Sequence, residues 1–150
     1  MKKYHKLKDG GVFACDVDDT LFLWNIPKGY KGILVKTNVN GIEDFGIPNR
    51  PAINHLKKMK ARNYSVVIWS AGGSNWAEAV VKALRLEDYV DLIMPKIDSH
   101  LDDVPDAIDK IGKWYYINLQ GTVFSKDKDG AIHEVKHGVL NPYGGLNGKQ

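Results

Sequence analysis

Val12-Phe13-Ala14-Cys15-Asp16-Val17-Asp18-Asp19-Thr20-Leu21 decides how the rest of the chain reads. An apolar run opens directly into three carboxylates and a threonine. Short apolar runs of this kind read as buried strands. A parallel strand ending in Asp-x-Asp sets two carboxylates at its carboxyl end, where open α/β sheets bind their ligands. Asp16 and Asp18 are two apart, so in extended backbone their side chains point the same way. Like charges this close repel, and a divalent cation keeps both ionised. The pattern predicts a hard-metal site with Mg2+ as the expected ion, and Mg2+ held by one or two carboxylates commonly handles phosphate.

Working outward, strand-like and helical patterns alternate. Strands are expected at 11–16, 65–70, 90–94, 99–101 and 114–119. Helices are expected at 51–62, with Ile53, Leu56 and Met59 on one face, at 75–84, burying Ala79, Val80, Ala83 and Leu84, and at 106–111. Pro51 suits the first turn of its helix. Such alternation predicts an α/β fold with a central parallel sheet covered on both faces. Two segments stand outside it. Between Leu21 and Asn49, Asn40-Gly41 separates two strand-like runs, the strongest short signal for a hairpin. After Gly121, Thr122–Ser125 and Ile132–Val135 flank Asp127-Lys128-Asp129-Gly130, a second hairpin pattern followed by a glycine-rich tail.

The Asp16-Val17-Asp18-Asp19-Thr20 stretch resembles the first motif of the haloacid dehalogenase (HAD) superfamily, Asp-x-Asp-x-Thr after an apolar strand. The similarity runs from about Val12 to about Leu119. It implies a Rossmann-like three-layer sandwich of strand order 5-4-1-2-3, placing the first and fourth strands side by side. It implies a β-hairpin flap at about 21–49 and one HAD-like hydrolase domain over 1–150, with a C-terminal hairpin and tail at about 121–150. A cap domain of several dozen residues is absent from the pattern, so the site is expected to be open.

The resemblance also implies roles. Asp16 would be the nucleophile, forming an aspartyl-phosphate. Asp18 would protonate the leaving oxygen, then activate the hydrolytic water, and would bind the metal through its main-chain carbonyl. Thr20 would fix the loop by hydrogen bonding. Ser70, ending the Ser65–Ser70 strand, resembles the second motif. With Ala71, Gly72 and Gly73 before a helix it would cradle phosphate, although Ser is also an ordinary helix cap. The motif lysine is Lys96 or Lys82, and Lys96 is the better placed because it follows a strand. Asp102 would complete the metal shell and Asp103 would stand behind it, with Asp98 as a rival ligand. Together these imply a Mg2+-dependent phosphomonoesterase. Nucleotides and nucleic-acid ends are candidate substrates, because small capless relatives include polynucleotide 3′-phosphatases and nucleotidases. Trp24 and Tyr30 would stack on a base or pack under the flap. A phosphotransferase and a non-catalytic phosphate-binding module are the alternatives.

Composition bounds the rest. The 150 residues suit one domain with a real core. No apolar run approaches the roughly 18 residues of a membrane span. The basic Met1–Lys8 stretch lacks the apolar centre of a signal peptide, and the single Cys15 allows no internal disulfide. A reducing, cytoplasmic setting is expected. The formal charge of +3 is too small to argue nucleic-acid binding by itself, though it favours recruiting an anionic substrate.

Overall fold

The computed structural model describes residues 2–105, 113–118, 121–127 and 129–135. Its strands are β1 (Val12–Cys15), β2 (Phe22–Leu23), β3 (Val35–Val39), β4 (Ile42–Pro48), β5 (Ser65–Ser70), β6 (Leu92–Pro95), β7 (Lys113–Ile117), β8 (Val123–Asp127) and β9 (Ile132–Val135). Helix α1 (Arg50–Ala61) precedes β5, and α2 (Ser74–Ala83) follows it.

β5 sits at the centre of a parallel sheet ordered β1-β5-β6. Its Ser-Val-Val-Ile-Trp-Ser sequence is buried everywhere except Trp69, which is half-buried. Continuous burial is what a strand paired on both sides and covered by helices requires. The register sets Val12 beside Ser65 and Cys15 beside Ile68. On the other edge it sets Val67 beside Leu92 and Ser70 beside Pro95. α1 buries Ile53, Leu56 and Met59 as their spacing demands, with Pro51 in its first turn. α2 buries Ala77, Val80 and Val81, while Ala79, Ala83 and Leu84 are only half-buried. The buried stripe thus starts nearer the helix N-terminus than the 75–84 pattern suggested. Ile53, Leu56, Ala77, Val80 and Val81 meet Val17, Leu21, Phe22, Val66 and Ile68 in one core.

The expected order 5-4-1-2-3 holds for its 1-2-3 portion, as β1-β5-β6. The fourth strand does not form: residues 96–102 carry no regular structure, and Leu101 is 99% exposed. Ile97-Asp98-Ser99-His100-Leu101 is too polar to fill a buried position in a parallel sheet. Among the described residues β1 is therefore an edge strand, and Val12 is 54% exposed. The fifth strand forms as β7 but joins an antiparallel sheet, β7-β8-β9, instead of the parallel one. Tyr115 of β7 packs its ring against His55 of α1 at 4.2 Å and Phe13 of β1 at 6.1 Å. The expected 106–111 helix and the tail from 136 onward lie outside the described residues.

Both hairpins are present. β3 and β4 pair from Val39↔Ile42 to Val35↔Gly46, and β2 pairs with the far end of β4. Asn40 and Gly41 both have positive φ, 53° and 84°, as a primed two-residue turn requires. Lys36 and Glu43 form a cross-strand ion pair at 3.1 Å. β8 and β9 form the second hairpin, with Lys126 opposite Ile132.

Two contacts make the scaffold testable. Gly46 of β4 lies flat on the buried Phe22 ring, where an added Cβ would come within 2.4 Å of ring carbons. Gly46→Ala is expected to destabilise the protein by roughly 1–3 kcal/mol, read as a lower urea midpoint with unchanged slope. Asp91 accepts from Lys60 Nζ at 2.8 Å and from the Val66 amide at 2.7 Å, tying α1 to the start of β5. The Lys60 contact, then the Val66 amide, holds its carboxyl below the ordinary value of 3.8. Stabilisation from a lowered folded-state pKa is complete above the unfolded value and is lost as pH falls through the folded one. Wild type should therefore exceed Asp91→Asn by about 1 kcal/mol at pH 6, with the gap closing below pH 3.8 in acid-titrated melts.

Candidate active site

The turn after β1 is tight. The Val17 carbonyl accepts from the amides of Thr20, Leu21 and Phe22 at 3.2, 2.9 and 3.1 Å. Asp19 takes a positive φ of 57°, and its amide donates to the Phe22 carbonyl at 2.8 Å. Val17 is fully buried, while Asp16 and Asp18 on either side of it are half-buried. That alternation keeps both carboxylates at the surface of the sheet's carboxyl edge. Asn49 holds the turn from outside, its Nδ2 donating to the Thr20 carbonyl at 2.8 Å and its amide to Leu21 at 3.0 Å.

Asp16 meets two groups. Lys96 Nζ lies 3.4 Å from Oδ1, and Thr20 donates its hydroxyl to Oδ2 at 3.2 Å. Lys96 follows the end of β6, where its amide donates to the Ser70 carbonyl at 2.9 Å. The β5–β6 register therefore carries the lysine across the sheet to Asp16. Lys82 is engaged elsewhere, with Glu78 on the exposed side of α2 at 3.2 Å. With side chains 32% and 44% exposed, Asp16 and Lys96 are both open to a ligand.

Asp18 meets three groups. Ser70 donates its hydroxyl to Oδ2 at 3.2 Å. Trp24 and Trp76 both donate their indole N–H to Oδ1, at 2.8 and 3.0 Å. Ser70 Oγ in turn accepts from the Gly72 amide at 3.0 Å. Gly73, at φ 96°, turns the chain into α2, whose N-terminus carries no side-chain cap. Uncapped first-turn amides beside a hydroxyl and an exposed Ala71-Gly72 loop suit an anion.

Asp18, Trp24, Gly72 and Trp76 line a cavity of about 370 Å³ together with Val39, Asn40, Ile42 and Asp44 of the hairpin. Trp24 and Trp76 stack at 5.2 Å and 20°. Phe22 meets both edge-on, at 5.0 and 5.3 Å.

The acidic pair further along stands apart. Asp102 is fully exposed, and its carboxylate accepts from the Val104 amide at 3.0 Å. That bond, then the neighbouring Asp103, holds its carboxyl below the usual range. Asp98 contacts only the adjacent Ser99, at 3.4 Å, among its side-chain hydrogen bonds described. Among the described residues no three His, Cys, Asp or Glu side chains gather in a metal-holding group. The expected Asp16–Asp18–Asp102 convergence is thus not assembled, because the strand that would carry Asp102 beside β1 is not formed. Cys15, next to Asp16, is buried, and burial, then the Asp16 charge, pushes its thiol up to about 12.

Trp76 is the site residue that pattern reading passed over. It reads as one more apolar residue of an amphipathic helix. Its signal was position, in the first turn after Gly72-Gly73, where an indole N–H faces the anion side of the loop.

None of the curated proteins matches the chain. A family model does, over residues 13–104, reaching from inside β1 past Asp16, Asp18, Ser70 and Lys96 to Asp102 and Asp103. Because that match spans more than half of the sequence, the chain belongs to the NLI interacting factor-like phosphatases, a family of HAD-like phosphatases.

Proposed function

We propose that the protein hydrolyses phosphomonoesters through an aspartyl-phosphate on Asp16, with Mg2+ as cofactor and nucleotides or nucleic-acid ends as substrates. The observation that carries this reading is the division of labour at the end of β1. Asp16 faces the cation Lys96, whereas Asp18 faces the hydroxyl of Ser70 and two indoles. Two carboxylates in such different surroundings suit two different tasks.

In the first half-reaction an Asp16 oxygen bonds to phosphorus as the ester P–O bond breaks. The departing oxygen keeps the bonding pair and takes a proton from Asp18. In the second, water attacks phosphorus and gives its proton to Asp18, the Asp16–phosphorus bond breaks, and phosphate leaves. Lys96 offsets charge on Asp16 and on a phosphoryl oxygen, while Ser70 and the amides of Ala71 and Gly72 receive the remaining oxygens. Thr20 holds Asp16 in place from the far oxygen. The Asp16 carboxylate, the Asp18 main-chain carbonyl and the Asp102 carboxylate are hard oxygen donors of the type Mg2+ takes, with Asp103 beside the last. When bound, Mg2+ would lessen repulsion between the anionic nucleophile and the anionic substrate.

The substrate class rests on the cavity. Its walls are indoles and aliphatic side chains, and its polar rim, Asn40 and Asp44, offers acceptors for the amino groups of a base. Indoles give a base a face to stack on. Among the described residues no helix is long and apolar enough to cross a membrane. The cytoplasm is the proposed setting, on the strength of the single, buried cysteine.

Asp16→Asn should cut phosphate release by roughly a thousandfold or more while circular dichroism and melting stay near wild type. Wild-type turnover should vanish with a chelator and return with added Mg2+. Nucleotides and 3′- or 5′-phosphorylated oligonucleotides should be turned over faster than sugar phosphates. Full activity in Asp16→Asn would remove the nucleophile, and a preference for sugar phosphates would remove the proposed substrate class.

A further inference from the structure

We infer that Trp24 and Trp76 are positioning residues for the catalytic Asp18, locking its carboxylate so that Oδ2 is the oxygen that serves the leaving group. This rests on the acid–base reading of Asp18 above. An indole N–H can only donate, and a carboxylate oxygen has two lone pairs. Both indoles spend their single donor on Oδ1, at 2.8 and 3.0 Å. Oδ1 is thereby fully engaged. Oδ2 is left toward Ser70, whose own Oγ is bonded by the Gly72 amide of the phosphate loop.

Burial does not explain the convergence. Trp24 is 41% exposed, so water could satisfy its N–H as well. Nor can one indole drift without the other. They come from different elements, the residue after β2 and the first turn of α2, yet stack on each other and rest edge-on against the fully buried Phe22. The Trp24 amide is itself held by Asp19 Oδ1 at 3.3 Å, which links the clamp to the positive-φ residue of the turn. A free carboxylate rotates about its terminal torsion; a doubly bonded oxygen stops that rotation.

Trp24→Phe and Trp76→Phe keep the ring and delete the donor. Phenyl phosphate and p-nitrophenyl phosphate have nearly the same shape, so cavity fit cancels between them, but the phenolate is the poorer leaving group and needs the proton more. Each variant should lower kcat/KM, which reports the first half-reaction alone, about tenfold for phenyl phosphate and less than about twofold for p-nitrophenyl phosphate, with Mg2+ present. Trp76→His, which retains a ring N–H, should bring the ratio part of the way back to wild type. In an Asp18→Asn background neither Phe substitution should change the ratio further. Melting curves check folding, and if Trp76→Phe does not fold, the test rests on the more exposed Trp24. An unchanged ratio in a folded variant, alongside a changed ratio in Asp18→Asn, would overturn the clamp alone. An unchanged ratio in Asp18→Asn itself would overturn the acid–base role and the clamp with it.

Discussion

Two carboxylates separated by one residue at a strand end repel each other, and the site is organised around that repulsion. Each is given its own donors, from different parts of the chain. Asp16 has Lys96 beyond β6 and Thr20 in its own turn. Asp18 has Ser70 at the end of β5 and the two indoles. Ser70, Lys96 and Trp76 would not arrive without the parallel register of β1, β5 and β6, which aligns three strand ends on one edge. Sheet pairing and site electrostatics are therefore one construction. A slip of one residue in β5 would turn Ser70 to the other face and leave Asp18 without its hydroxyl.

What could be read from the sequence was whatever depends on local chemistry. The apolar run Val66–Trp69 points to a buried strand, and Asn40-Gly41 to a primed turn; both are there. Lys96 was preferable to Lys82 because a residue after a strand reaches the ligand edge while one in mid-helix faces solvent, and the Glu78 pairing shows where Lys82 goes. What could not be read was long-range partnership. Nothing in Trp114–Leu119 says whether its neighbour lies upstream in a parallel sheet or downstream in a meander. The adjacent β8 settles it by proximity in sequence, since a hairpin costs little loop entropy. Ile97–Leu101 failed for the opposite reason: its composition lacks the apolar surface that would repay burial. The α2 stripe was misplaced because several alanines and valines there satisfy helical spacing in more than one way.

Asp102 marks where the local and long-range arguments part. Its carboxylate is stable where it is, accepting its own loop's Val104 amide in full solvent. Moving it to Asp16 would break that bond and bring a third negative charge toward two others. Repulsion of that kind is offset only by a cation. The proposed ion and the third carboxylate thus belong to one equilibrium, and Asp102 has no physical reason to join Asp16 without the ion.

The hairpin gives the cavity a character that the strand ends alone would lack. Carboxylates at an open edge are well hydrated, and a hydrated carboxylate is both mobile and weakly felt by its neighbours. Val39 and Ile42 line the same cavity as Asp18, Trp24 and Trp76, so Asp18 has apolar groups around it as well as donors. Where Asp18 borders those apolar groups, each donor to it counts for more. The described residues build this wall from one two-residue turn and a pair of stacked indoles. An aromatic wall that offers apolar faces and also supplies N–H groups serves both ends at once, which an aliphatic wall could not do.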